Sequence, residues 1–264
     1  MKRAILPLLY ALMIVLSPAC AAVATNAPIP STPTATATAA IATPTIVWFP
    51  PSETPAVVDL PTAGPTPERK PGVGGLVLTD DFSSEKPWNP GLSEDAGIVI
   101  SRNQLTLAAQ PGVSAFRIRQ GPSLTSFYAE ITAQPSLCRD TDEYGLLFRA
   151  PSNSGYYVYA LRCNGTSLAE RVRLGKAFPL HDPVASADVP VGPPAEVRLG
   201  VWASGTELRF FLNGHYQFRV SDPTLKQGAV GVFAHAMGAT PVTIIFSDLS
   251  VYNVTYIPPA TPTP

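Results

Sequence analysis

The clearest alternation of apolar and polar positions in this chain runs over residues 206–220, TELRFFLNGHYQFRV. Leu208, Phe210 and Leu212 alternate with Glu207, Arg209 and Phe211; beyond Asn213-Gly214, Tyr216, Phe218 and Val220 alternate with His215, Gln217 and Arg219. Side chains of a strand point to opposite faces in turn, and Asn-Gly supplies two residues that tolerate positive φ, so the stretch predicts a tight β-hairpin. The same period returns over residues 76–82, 98–100, 105–107, 115–119 and 127–133. Residues 144–149 and 156–163 flank a turn-rich PSNSG, residues 168–174 follow Asn164-Gly165, and residues 197–202, 229–235 and 242–254 complete the set. No window carries a helical apolar stripe beyond two turns. Short strands separated by turn residues predict an all-β fold, a two-sheet antiparallel jelly-roll sandwich over residues 74–256. Residues 176–194, rich in proline, read as irregular.

The ends of the chain have a different character. Met1-Lys2-Arg3 precedes an apolar run too short to span a bilayer, which predicts an export signal over residues 1–22. The run ends in LSPACAA, which resembles a bacterial lipoprotein box with Cys20 as the lipidated residue, although Ser17 stands where that pattern prefers Leu. Ordinary cleavage and release is the other reading. Residues 23–73 are dominated by Thr, Ala and Pro and bury too little apolar surface to offset ordering, so they predict a disordered linker; residues 257–264 repeat the composition as a tail. The expected location is outside the cell, either lipid-anchored to the outer face of the membrane or secreted.

A net charge of −1 without clustered basic residues gives no footprint for nucleic acid. With Cys20 lipidated or removed, Cys138 and Cys163 are an even pair in an oxidising compartment, which predicts a disulfide between neighbouring strands or a strand and a loop. Metal binding by that pair is the lesser reading, because the chain has only three histidines.

The phrases DDFSS, YGLLFRAPSNSGYYVYALRCNG, EVRLGVWASGTELRFFLNGHYQFRVSD, GAVGVFAHA and FSDLSVYNV, in that order, resemble the concanavalin A-like lectin/glucanase superfamily. More narrowly they resemble the laminin-G-like and 3-keto-disaccharide hydrolase-type domains of bacterial surface lipoproteins. The resemblance covers roughly residues 76–254 and implies a jelly roll, with function left to the particular site. Retaining glycosidases of the superfamily place two carboxylates on one strand face in an E-x-D-x-x-E pattern. The nearest match starts at Glu130, but Thr132 and Pro135 stand where partners are needed, so no catalytic pair is assigned. Asp140 and Asp142 offer alternating oxygens of the kind that hold calcium in such domains; a polar loop tip without a metal is the plainer reading. No other cofactor is expected.

If Leu146 and Phe148 face the core, alternation turns Arg149 outward. The same counting assembles Arg149, Tyr156, Arg162, Arg171, Arg173 and Trp202 into one polar and aromatic surface suited to sugars. The expected function is a surface-tethered, non-catalytic module recognising a glycan or other cell-envelope polymer. The alternatives are a glycoside hydrolase and a structural domain that binds a protein.

Overall fold

The computed structural model describes residues 68–256, so Cys20, the export signal, most of the Pro/Thr-rich stretch and the tail lie outside the described residues. Fifteen strands are present: β1 (Val73–Asp80), β2 (Gly91–Leu92), β3 (Ala96–Ser101), β4 (Gln104–Ala109), β5 (Ser114–Ile118), β6 (Phe127–Leu137), β7 (Glu143–Ser152), β8 (Gly155–Arg162), β9 (Thr166–Arg173), β10 (Lys176–Ala185), β11 (Val197–Ser204), β12 (Glu207–Leu212), β13 (His215–Ser221), β14 (Ala229–His235) and β15 (Val242–Val254). No helix occurs among the described residues. Nine strands form one sheet in the order β13-β12-β11-β6-β15-β4-β3-β2, with β1 also on β15, and six form the other, in the order β10-β9-β8-β7-β14-β5. Every pairing is antiparallel.

All the alternating runs fall on strands, and the Asn213-Gly214 hairpin joins β12 to β13 with both turn residues at positive φ. The proline-rich stretch departs from expectation, since ten of its residues form β10. That strand lies at the edge of the six-stranded sheet, where Pro179 and Pro183 need not donate to a second neighbour.

The core lies between the sheets. Phe210 from the hairpin meets Tyr159 at 4.8 Å and Phe148 at 6.2 Å across the gap, ring centre to ring centre. Leu146, Tyr157 and Val232 of the smaller sheet and Ile131, Leu199, Ile244 and Phe246 of the larger join the same cluster. Burial of each such side chain is worth about 1.5–3 kcal/mol.

Cys138 and Cys163 form a disulfide with Cα atoms 6.0 Å apart. They follow directly on β6 and β8, which belong to different sheets. The bond therefore staples the two layers together rather than two neighbouring strands.

The fold begins upstream of the Gly74 boundary expected from composition. Residues 68–72 lie across the outer face of the nine-stranded sheet, on an aromatic bed of Tyr128, Trp202, Phe211, Tyr216, Tyr252 and Tyr256. The Lys70 ammonium sits over Tyr128 and Phe211 at 4.3 and 4.8 Å and donates to Tyr128 Oη at 2.8 Å. Arg69 covers Tyr216 at 4.5 Å, and Trp202 Nε1 donates to the Pro71 carbonyl at 3.0 Å. Cation–π pairs here gain about 1 kcal/mol each, while ordering each backbone residue costs a similar amount. The net stabilisation is therefore small, and the main effect of the segment is to cover the aromatics. A chain starting at Gly74 is expected to lose about 1–2 kcal/mol and to bind a hydrophobic dye that the longer chain does not. Equal dye binding by the two would count against this role.

Candidate functional site

The outer face of the six-stranded sheet is apolar where an exposed sheet face is ordinarily polar. Leu147, Val158, Ala160, Leu168 and Phe233 are buried there, with Phe116, Ile118, Tyr156 and Val172 packed over them. Phe116 of β5 and Tyr156 of β8 close this layer, their rings 5.5 Å apart at 43°. At one corner Arg162 donates to the Glu143 carboxylate through Nε and Nη2, both at 2.8 Å. Glu170 shares the face without an ion-pair partner among the described residues; burial, with help from nearby Glu143, raises its carboxyl above the usual range.

Beside this face the sandwich opens along β5. A cleft of about 740 Å³, within the range of small-ligand sites, lies between β5, the segment around β2 and β3, and the β7–β8 turn. Phe116 and Ile118 form one wall, Trp88 and Ile98 another, and Ser152 and Asn153 supply polar atoms at the rim. Trp88 is fixed by Asp80, whose Oδ2 accepts from Trp88 Nε1 at 3.0 Å and from Arg119 Nε at 2.6 Å. Arg117 reaches in from the core-facing side of β5. Because Phe116 and Ile118 belong both to the cleft and to the outer-face layer, the two form one continuous surface.

No family model matches this sequence, and no curated protein matches it. Solved structures do resemble it. A protein of unknown function with a galectin-like fold from Bacillus subtilis superposes with a TM-score of 0.53 at 13% identity, over 69% of this chain and 97% of that one. A structure described with endo-acting O-glycanases that initiate mucin breakdown, from the human gut microbiota, gives 0.52 at 9% identity, over 69% and 100%. The catalytic domain of an endo-1,3-β-glucanase (laminarinase) from Thermotoga petrophila RKU-1 gives 0.50 at 12% identity, over 69% and 98%. The fold is an all-β jelly roll of two antiparallel sheets.

Within this jelly roll the six residues expected to share a surface are dispersed. Tyr156 and Arg162 do share the outer face of the smaller sheet, at opposite ends of β8. Trp202 is on the opposite outer face, buried beneath residues 68–72. Arg149 is fully buried, because a bulge after Phe148 breaks the alternation of β7 and the residue sits at φ +45°. Its guanidinium donates to the carbonyls of Thr125 at 2.7 Å, Gly205 at 2.8 Å and Leu225 at 3.1 Å. Arg171 turns toward the space between the sheets, where it pairs with Asp222 and donates to Thr224 Oγ1. Arg173 is exposed next to the β9–β10 turn. Leu168 and Val172 of β9 face outward, so Arg171 between them faces in.

Asp140 and Asp142 are not brought together as ligands. Asp142 is buried, and its carboxylate accepts the backbone N–H groups of Arg139, Met237 and Gly238 at 2.9, 2.9 and 3.2 Å. Those bonds use its oxygens to join two loops. Asp140 is exposed, and no cluster of three or more metal-ligating side chains exists among the described residues. Glu130 lies on the nine-stranded sheet, ion-paired with Arg198 at 2.8 Å and accepting from Tyr128 Oη at 2.9 Å. Burial pushes its carboxyl up, but these donors outweigh burial and hold it below the usual range.

Phe116, Arg117, Phe233 and Glu170 were not singled out from the sequence. The run 115–119, Ala-Phe-Arg-Ile-Arg, alternates cleanly, but only the topology shows that β5 is an edge strand whose two faces meet at an opening.

Proposed function

We propose that the chain is a non-catalytic glycan-recognition module, held outside the cell by its Pro/Thr-rich stretch and a lipid on Cys20. The observation that carries this reading is the Phe116–Tyr156 layer beside the cleft. Sugar rings present C–H faces that pack on aromatic rings, while their hydroxyls require planar polar groups close by; Ser152 and Asn153 stand at the rim of the adjoining cleft and Arg117 inside it. Two of the solved structures with this fold come from work on enzymes that cut glycans, which fits the same class of ligand. Paired catalytic carboxylates are not the reading favoured here, because Glu143, the carboxylate near Glu170, is held by Arg162.

Gel affinity electrophoresis against a panel of polysaccharides tests the reading. The protein is expected to be retarded by at least one glycan without added calcium. The Phe116→Ala/Tyr156→Ala double variant should bind it at least about tenfold more weakly, the scale of one or two lost stacking contacts. Retardation by no glycan, or retardation indifferent to the double substitution, would overturn the reading. Release of reducing ends that stops in Glu170→Gln would replace recognition by hydrolysis.

A further inference from the structure

Two arginines line the cleft, and among the described residues no aspartate or glutamate does. Arg119 is neutralised by Asp80. Arg117 has no carboxylate partner among the described residues, and its Nε is buried without an acceptor.

The surroundings make this arrangement costly. On β5, Arg117 lies on the same side as Ala115, which is in the core, and it pairs in register with core residue Val232. Trp88 and Ile98 face it from the other layer. Of the Arg117 nitrogens only Nε is shut off from water with no acceptor, and a buried N–H left so is unfavourable. Packing alone would be better served there by an aliphatic side chain. The outer end of the guanidinium is left open: a Cβ built on Gly91 would still stand 4.0 Å from Nη2, so bare backbone faces it. An unpaired guanidinium at the back of an open cleft is a fork of donors awaiting a planar or tetrahedral anion.

We infer that the cleft takes an anionic unit of a glycan, a sugar bearing a carboxylate or a sulfate, whose acidic group pairs with Arg117. This rests on the glycan-binding reading above and adds the charge of the ligand to it. Stacking on Phe116 holds the sugar at the mouth of the cleft, and the ion pair inside selects for charge. Arg119, already committed to Asp80, contributes only to the positive field.

The experiment compares the full chain with its Arg117→Gln variant by calorimetry, using two matched pairs of probes. One pair is oligogalacturonate and its fully methyl-esterified form; the other is dextran sulfate and unsulfated dextran. The acidic member of one pair is expected to bind at least about tenfold more tightly than its neutral counterpart, and Arg117→Gln should abolish the difference. The pair that shows it tells carboxylate from sulfate. Equal affinity within both pairs, no binding to any of the four probes, or a charge preference that survives in the variant would overturn the inference. Retardation by a neutral glycan that depends on Phe116 and Tyr156 would leave the broader reading standing; its absence as well would remove both. A second measurement guards against a merely structural arginine. Arg117→Met is expected to raise the melting temperature by about 2–4 °C, since it removes a buried N–H that has no acceptor. A fall would mark Arg117 as a structural residue and overturn the inference.

Discussion

Replacing Arg149 by leucine is expected to lower stability by about 3–4 kcal/mol, seen as a fall of roughly 6–16 °C in the thermal transition followed by far-UV circular dichroism. The side chain is fully buried, and its donors hold the carbonyls of Thr125, Gly205 and Leu225, which come from three separate loops. Leucine supplies the bulk of the aliphatic stem but none of the donors. Each carbonyl left without a partner costs on the order of 1–3 kcal/mol unless water reaches it, and Thr125 and Gly205 are exposed enough to recover part of that loss. Burial alone pulls the Arg149 guanidinium down from its ordinary range, yet it stays charged at neutral pH, so its hydrogen bonds are the strong, charge-assisted kind. A loss below about 1 kcal/mol would show that the three loops hold their places without it.

Arg149 and Arg117 form an internal control for one another. Arg149 is fully buried and Arg117 partly so, and neither has a carboxylate partner among the described residues. Arg149 is met by three carbonyls and Arg117 by none. The same physical accounting therefore gives opposite signs for their removal, destabilising at one position and stabilising at the other. A fold that keeps the second kind of arginine does so at a cost to its own stability, which is the usual mark of a position kept for binding.

The strands were legible because alternation with period two is a local property, and the hairpin at Asn213-Gly214 because turn chemistry is local as well. The site was much less so. Alternation tells which residues share a face of one strand; it does not tell which sheet the strand joins, and Trp202 ended on the opposite layer from Tyr156 for that reason. Nor does it say which face is the core when both faces are apolar. Leu168 and Val172 cover the outside of the smaller sheet, and that inverted the expected placement of Arg171. A single bulge after Phe148 was enough to turn Arg149 inward. The segment Glu68-Arg69-Lys70-Pro71 looked like solvated linker because its charges and proline lack a partner in the sequence, whereas its partners are aromatic rings distant along the chain.

Breaking the Cys138–Cys163 bond, by reduction or by paired alanine substitution, is expected to cost about 3.5 kcal/mol. Closing a loop of 25 residues removes about that much entropy from the unfolded chain. The loop contains all of β7 and β8, the strands that carry Tyr156, Arg162 and one rim of the cleft, so the consequence should extend beyond global stability. The bond joins the end of a strand in one sheet to the end of a strand in the other, and beside it the Cys163 N–H donates to the Asp142 carbonyl at 3.2 Å. Without the bond, that end of the sandwich is held by the Asp142 loop contacts and side-chain packing alone. Thermal melts with and without reductant should differ by roughly 7–14 °C. Amide exchange should quicken first at the end of β8 near Cys163, ahead of the hairpin at Asn213-Gly214, which lies outside the closed loop. A melt indifferent to reductant, with the thiols shown to be free, would mean that the two layers hold their register by packing alone.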